Sequence, residues 1–238
     1  MTRIFIISAA IVSLTIAALG TAKADSMNAY WADPRDPERL VIGFDMSASN
    51  PLVDDREHAR KVAARVADYV RTLPVKSEVI IRPLGVYNSS LNERLRMDMR
   101  ISSKNRPEDL AFKIEQLIGS IPDLVQAGTL HAEGYTNILA FLENMSQVVD
   151  CGGVKTTYIL LSDGIEDSQY TNLRNSNSTL PRDVLRTGDT KCHELQILGL
   201  GRGLASPQET KRIRDEWRVW AEEGDAHPFL HFVGLNDW

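Results

Sequence analysis

Three oxygen-bearing side chains at alternate positions follow an apolar run near the start of the chain. Residues 40–43 lead into the sequence FDMSASN, in which Asp45, Ser47 and Ser49 are each separated by one residue. Alternate residues of an extended segment lie on the same side, so we expect these three side chains to converge. Carboxylate and hydroxyl oxygens are ligands that hard divalent cations prefer. The stretch therefore predicts either a cation site or an ordinary polar loop, and the rest of the chain must distinguish the two.

The first residues have the pattern of a secretory signal peptide. One basic residue, Arg3, precedes an apolar stretch over residues 4–20, and the sequence Ala22-Lys23-Ala24 then places small residues on either side of a variable one. This order predicts cleavage after Ala24 and hence an exported protein, periplasmic or secreted. The alternative is an uncleaved membrane anchor, because roughly 17 apolar residues is the lower limit for a spanning helix.

Composition and charge exclude several classes of function for the exported part. The chain of 238 residues has a formal net charge of −5, which becomes −7 when Arg3 and Lys23 leave with the signal peptide. A mildly acidic chain has no electrostatic basis for binding nucleic acid or an anionic membrane surface, and we expect no membrane span after cleavage. A hydrophobic content of 43% and a charged content of 25% are those of an ordinary globular domain. We predict an N-terminal extension over residues 25–37 and one domain over residues 38–238.

The two cysteines, Cys151 and Cys192, predict one disulfide bond. An exported protein folds in an oxidising compartment, where an isolated pair most simply forms a single bridge. Each cysteine precedes a predicted strand, so we expect the bridge at the amino ends of neighbouring parallel strands. That end of the sheet is opposite to the end that carries Asp45, and the predicted role of the bridge is structural.

Strand and helix patterns alternate along the chain from residue 39 onward. The predicted strands cover residues 40–44, 79–86, 95–101, 156–161, 195–200 and 229–233. The predicted helices cover residues 55–73, 137–149 and segments that start at 107 and 207, the last with Trp217 and Trp220 facing the core. This order is typical of a doubly wound α/β domain with a mostly parallel central sheet, flanking helices and one antiparallel edge strand. Ligands of such sheets bind at the carboxyl ends of the strands, where the Asp45 motif is expected.

Two later residues extend the motif. Thr136 stands at the start of the helix predicted over residues 137–149, and Asp163 precedes Gly164 at the end of the strand predicted over residues 156–161. The turn Asp-x-Ser-x-Ser, followed by this threonine and this Asp-Gly pair, resembles the metal-ion-dependent adhesion site (MIDAS) of the von Willebrand factor type A (VWA) family. The resemblance covers about residues 38–235.

The resemblance implies a Rossmann-like VWA fold and a metal site formed by Asp45, Ser47, Ser49, Thr136 and Asp163. Hydroxyl and carboxylate oxygens favour Mg²⁺ or Mn²⁺ over Zn²⁺, which prefers nitrogen and sulfur. A cation with few directly bound carboxylates keeps a net positive charge and an open or water-filled position, which an acidic group of a partner protein can occupy. The implied function is adhesion or assembly of an envelope protein complex, without enzymatic activity.

Other functions can use the same oxygen atoms. A metal-dependent hydrolase would need a general base near the cation, and the sequence offers no convincing one. A haloacid-dehalogenase phosphatase would carry a second aspartate where this chain has Ser47. A third alternative is a structural domain whose metal only stiffens its loops.

Several residues around the predicted site have two interpretations. His131 and Glu133 either tune the metal or are solvated. Glu166 and Asp167 either extend a negatively charged rim or form an exposed turn. The polar segment over residues 167–191 is long for a loop in a compact domain; it either overhangs the metal and selects the partner or is mobile filler.

Overall fold

The structure is a computed structural model that describes residues 35–84, 92–149, 154–182, 193–222 and 231–235. All of these residues belong to one compact unit that begins at Arg35. The predicted signal peptide and both cysteines, Cys151 and Cys192, lie outside the described residues, so export and the disulfide bond stay predictions.

Strands and helices alternate along the described part of the chain. The strands are β1 (Arg39–Asp45), β2 (Glu78–Leu84), β3 (Met97–Arg100), β4 (Thr156–Leu161), β5 (His193–Leu198) and β6 (His231–Leu235). The helices are α1 (Arg56–Thr72), α2 (Pro107–Gly119), α3 (Ile121–Gln126), α4 (Ile138–Val148) and α5 (Pro207–Glu222). None of the helices within the described ranges has the length and apolar character that a bilayer span requires.

The six strands form one sheet in the order β3-β2-β1-β4-β5-β6. All neighbouring strands are parallel except β2 and β3, which are antiparallel at the edge. The predicted α/β class, with a mostly parallel sheet flanked by helices and one antiparallel edge strand, is confirmed. The chain runs outward from β1 to β3 and then returns to β4 on the other side of β1. The switch in strand order therefore lies between β1 and β4.

Helices cover both faces of the sheet. One core lies between the sheet and α1, α2 and α3, and the second lies between the sheet and α4 and α5. Leu40 and Ile42 of β1 belong to the first core and Val41 belongs to the second, as the two-residue period of a strand requires. Burial on both faces explains why β1 and β4 are continuous apolar runs. Trp217 and Trp220 are buried in the second core, as predicted.

The helix starts follow from local capping, whereas several strand bounds differ from the predictions; β5, for example, covers His193–Leu198 rather than 195–200. The Asp55 side chain accepts hydrogen bonds from the first amides of α1, and Ser206 Oγ accepts one from an amide of α5. Leu95 lies in a short 3-10 turn before β3 rather than in the strand. The helix that starts at Pro107 ends at Gly119, and α3 follows as a separate helix with Pro122 in its first turn. Proline has no amide hydrogen with which to continue the preceding helix.

Candidate metal-binding site

The two acidic candidate ligands lie at the carboxyl ends of the two central strands. Asp45 is the last residue of β1, and Asp163 follows the end of β4 by two residues. Their exposed fractions are 0% and 1%. Because β1 and β4 are parallel neighbours, with Phe44 opposite Leu161, the loops that carry the two carboxylates leave the sheet side by side.

A chain of polar contacts connects four of the five predicted ligands. Asp45 Oδ1 accepts a hydrogen bond from the backbone N–H of Ser47 at 2.9 Å. The hydroxyl oxygens of Ser47 and Ser49 are 3.4 Å apart, and Ser49 Oγ donates to Asp163 Oδ2 at 3.2 Å. Ser49 is exposed, whereas the other three are buried. The fold therefore brings two carboxylates and two hydroxyls together and opens them to solvent at Ser49.

Thr136 joins the site through the backbone of its loop. Glu133 in this loop donates from its amide to Met46 O at 2.7 Å and accepts from the amide of Ala48 at 2.8 Å. Thr136 forms a pair of backbone hydrogen bonds with Asp167, of 3.3 and 2.9 Å. The loop is thus held between the loops after β1 and β4. Within the described residues, the Thr136 hydroxyl makes no direct hydrogen bond to the other four predicted ligands.

Two further polar residues hold the site together, and the sequence analysis assigned them no role. Asn50 Nδ2 donates to Asp45 O at 2.7 Å and to Leu161 O at 2.9 Å, which ties the ends of β1 and β4 together. Ser162 Oγ donates to Asp45 Oδ2 at 2.6 Å. Both residues are direct neighbours of predicted ligands in the sequence. That adjacency is the sequence signal by which the two residues could have been found, although it does not reveal the hydrogen-bond partners that lie on another strand.

Burial dominates the electrostatics of the two carboxylates. Burial raises the pKa of Asp45 to about 7, and the charge of Asp163 adds to this shift, while hydrogen bonds from Ser162 and Ser47 oppose it. Burial also raises the pKa of Asp163, against the hydrogen bond from the Ile165 amide and the positive charge of Arg174. Two buried carboxylates that disfavour each other's charge are stabilised when a cation lies between them.

The set of donors fits Mg²⁺ or Mn²⁺. Each oxygen of Asp45 accepts one hydrogen bond from the protein and keeps a second lone pair, so this carboxylate could act on a cation directly or through bound water. No three or more His, Cys, Asp and Glu side chains within the described ranges form a metal-holding group. The neutral oxygen donors beside the two carboxylates are the hydroxyls of Ser47 and Ser49, and Thr136 lies on the adjoining loop. Mg²⁺ accepts such oxygens and retains several waters, whereas Zn²⁺ selects imidazole and thiolate.

Glu166 is a helix cap and does not lie on an exposed turn. Its side chain is fully buried, and Oε2 accepts hydrogen bonds from the amides of Ile138 at 2.8 Å and Leu139 at 3.2 Å. These amides at the start of α4 have no partner within their own helix. Burial raises the pKa of Glu166 to about 7. Both sequence interpretations, a solvent-facing rim and an exposed turn, are wrong for this residue.

The turn after β5 and helix α5 support the Asp163 loop from behind. The Gly201 amide donates to Asp163 O at 2.7 Å, and Trp217 Nε1 donates to Gly164 O at 2.7 Å. Gly164 has a positive φ of 73°, and a side chain there would collide with Leu200. The glycine of the Asp-Gly pair is therefore required by the backbone, and Trp217 connects the second core to the site.

The described half of the long polar segment is packed against the domain. Leu173 and Leu180 are buried. The Leu173 amide donates to Glu166 O at 2.8 Å, and Arg212 Nη2 donates to Leu173 O at 2.6 Å. These contacts anchor residues 167–182 to the domain, while residues 183–191 lie outside the described part of the chain.

Comparisons with known proteins identify no family. No protein-family profile matches the chain, and no curated protein matches it. Among solved structures, it is similar to the crystal structure of the pilus adhesin SpaC from Lactobacillus rhamnosus GG, with 14% sequence identity, a TM-score of 0.45 and coverage of 86% of this chain. The chain spans 29% of the length of that adhesin, and at these values the similarity carries no argument about function.

Proposed function

We propose that this protein is an exported member of the VWA family that binds a divalent cation and, through it, an acidic group of a partner protein. The proposed ligands of Mg²⁺ or Mn²⁺ are Asp45, Ser47, Ser49, Thr136 and Asp163. The observation that carries the proposal is the chain of contacts from Asp45 through both serines to Asp163 at the switch in strand order. Adhesion or assembly of an envelope protein complex is the proposed use.

Each residue has a distinct task in the proposed site. The hydroxyls of Ser47, Ser49 and Thr136 supply neutral oxygen ligands, so a bound cation keeps a positive charge toward solvent. Asp45 and Asp163 supply the negative charge that attracts it. Tyr135, next to Thr136, is 59% exposed, and an exposed aromatic side chain at the rim suits contact with a protein partner.

Calorimetric titration of Mg²⁺ and Mn²⁺ into the metal-stripped protein tests this function. We expect saturable binding to the wild type and no binding to Asp45→Asn. Asparagine is chosen because it removes the charge and keeps two hydrogen bonds. Its Oδ1 can accept from the Ser47 amide, and its Nδ2 can donate to Ser162 Oγ. Asp54→Ala is the matched control, since Asp54 is an exposed carboxylate on the loop before α1 and its loss should leave the affinity unchanged.

The result also separates the competing functions. An Asp45→Asn variant that still binds Mg²⁺ with wild-type affinity would overturn the site assignment. Turnover of phosphate esters in the presence of Mg²⁺ would favour the hydrolase. A protein whose partner binding persists in EDTA would use the metal only as a structural element.

A further inference from the structure

Arg174 places a positive charge beside the candidate metal site. Its Nε is 3.9 Å from Asp167 Oδ2, and Asp167 pairs through its backbone with Thr136. The charge of Arg174 also acts on Asp163, the second acidic candidate ligand. About half of the Arg174 side chain, 48%, is exposed. The guanidinium thus lies at the solvent-facing edge of the site rather than within its core.

The short stretch that carries Arg174 is held in place. The Arg174 amide donates to Asn172 Oδ1 at 2.9 Å, and Asn172 Nδ2 donates to Asp167 Oδ1 at 2.9 Å. Leu173, directly before Arg174, is fully buried. The Arg174 backbone is therefore anchored relative to the site by the contacts of Asn172 and Leu173.

Most of the hydrogen-bonding capacity of Arg174 is available to a ligand. Within the described residues its guanidinium has one ionic contact, to Asp167, and 3.9 Å is too long for a direct hydrogen bond. A guanidinium carries five N–H donors in a planar arrangement that matches both oxygens of a carboxylate. Such a group at the edge of a site that receives an acidic partner is suited to bind that partner.

We propose that Arg174 is a specificity-determining residue that contacts the acidic group of the partner and disfavours the cation when no partner is bound. This inference rests on the proposed function. Arg174 repels a divalent cation and attracts a carboxylate, so its two effects have opposite signs. A residue that only holds the loop in shape would affect both binding steps in the same direction.

The test measures both steps with simple probes. Mn²⁺ is titrated calorimetrically into the purified protein, and acetate is then titrated into the Mn²⁺-loaded protein while the relaxation of the acetate methyl protons is followed by NMR. For Arg174→Gln we expect Mn²⁺ to bind about three- to tenfold more tightly, from the loss of one nearby repelling charge, and acetate to bind several-fold more weakly.

Two variants control for charge and for shape. Arg174→Lys keeps the charge and should retain the wild-type Mn²⁺ affinity, but it loses the planar arrangement of donors and should bind acetate less well. Arg182→Gln makes the same substitution at an arginine of the same segment with nearly equal exposure, 45%, whose ion pair is with Glu216 on α5. We expect it to match the wild type in both titrations.

The outcomes distinguish failure of the inference from failure of the proposed function. Absence of saturable Mn²⁺ binding in every variant would overturn both. Binding that is lost in Asp45→Asn but identical in Arg174→Gln and Arg182→Gln would leave the metal site standing and overturn the role of Arg174. Weaker binding of both Mn²⁺ and acetate in Arg174→Gln would indicate a structural role and would likewise overturn the inference.

Discussion

The side-chain amide of Asn50 connects the ends of β1 and β4, next to the two acidic candidate ligands. It is buried, with 1% exposure, and its two hydrogens are used by the carbonyl oxygens of Asp45 and Leu161. A buried carbonyl oxygen without a hydrogen-bond donor costs free energy. The geometry at the ends of β1 and β4 therefore depends on an amide donor at this position.

Replacement of Asn50 by aspartate should destabilise the domain. The carboxylate keeps the shape of the amide but has no hydrogens, so it would face two carbonyl oxygens and add a third negative charge near Asp45 and Asp163. We expect the free energy of unfolding to fall by about 2–4 kcal/mol, measured by urea denaturation. Asn175→Asp is the control, because Asn175 is exposed and, within the described residues, its side chain hydrogen-bonds only through its acceptor oxygen; an equal loss in both variants would contradict this role for Asn50.

Spacing identified Asp45, Ser47 and Ser49, and the family resemblance added Thr136 and Asp163, whereas neither predicted the contacts that support these residues. Asp45, Ser47 and Ser49 form one local pattern, and a local pattern is visible in the sequence. The partners of Asn50 and Ser162 lie on strands separated by more than a hundred residues. Only the strand order brings these segments together, so no spacing rule could assign the contacts.

At the scale of elements, the start of α4 depends on a residue from another loop. Asn137 accepts a hydrogen bond from the Ala140 amide, and Glu166 accepts from the two amides of Ile138 and Leu139. Apolar spacing predicted the existence of α4 and of the other long helices, because burial of one face imposes a helical period. It did not predict Glu166 as a cap, since this contact is made across 27 and 28 residues.

Substitutions at Glu166 should separate the contribution of its hydrogen bonds to stability from the contribution of its charge. Glu166→Ala leaves two buried amides unpaired and should lower the free energy of unfolding by about 2–3 kcal/mol. Glu166→Gln retains a carbonyl oxygen for the helix amides and should change the free energy of unfolding by less than about 1 kcal/mol at neutral pH. Urea denaturation of both variants measures the difference, and a glutamine variant as unstable as the alanine variant would show that the charge is needed.

Helix α5 influences the site through Trp217. In Trp217→Phe, Gly164 O loses its buried donor, which should cost about 1–3 kcal/mol of stability and weaken Mn²⁺ binding because the Asp163 loop is less constrained. Trp220→Phe is the matched control, since its indole donates to Pro181 O instead. We expect it to lower the melting temperature without a change in Mn²⁺ affinity. Equal Mn²⁺ affinity in the two variants would mean that the Trp217 contact serves stability alone.

At the scale of the whole molecule, three buried carboxylates with raised pKa values, those of Asp45, Asp163 and Glu166, make stability depend on pH. The pKa of Asp45 is raised from 3.8 to about 7 and that of Glu166 from 4.5 to about 7, both chiefly by burial. Between about pH 4 and pH 7 the folded protein therefore holds protons that the unfolded chain has released. Stability falls with rising pH wherever the folded state binds more protons, so these groups should make the metal-free protein lose stability as the pH rises from about 4 to about 7.

A divalent cation should remove part of this pH dependence. Mg²⁺ binds the ionised form of the site, so it should raise the melting temperature more at pH 8 than at pH 5. In Asp45→Asn, one of these three titrating carboxyls is absent. We therefore expect a smaller loss of stability between pH 5 and pH 8, and no effect of Mg²⁺ at either pH. Thermal unfolding of both proteins at pH 5 and pH 8, with and without Mg²⁺, measures these differences. If the metal-free wild type and the variant lost the same stability over this range, Asp45 would not be the group that titrates, and the coupling between its burial and cation binding would not hold.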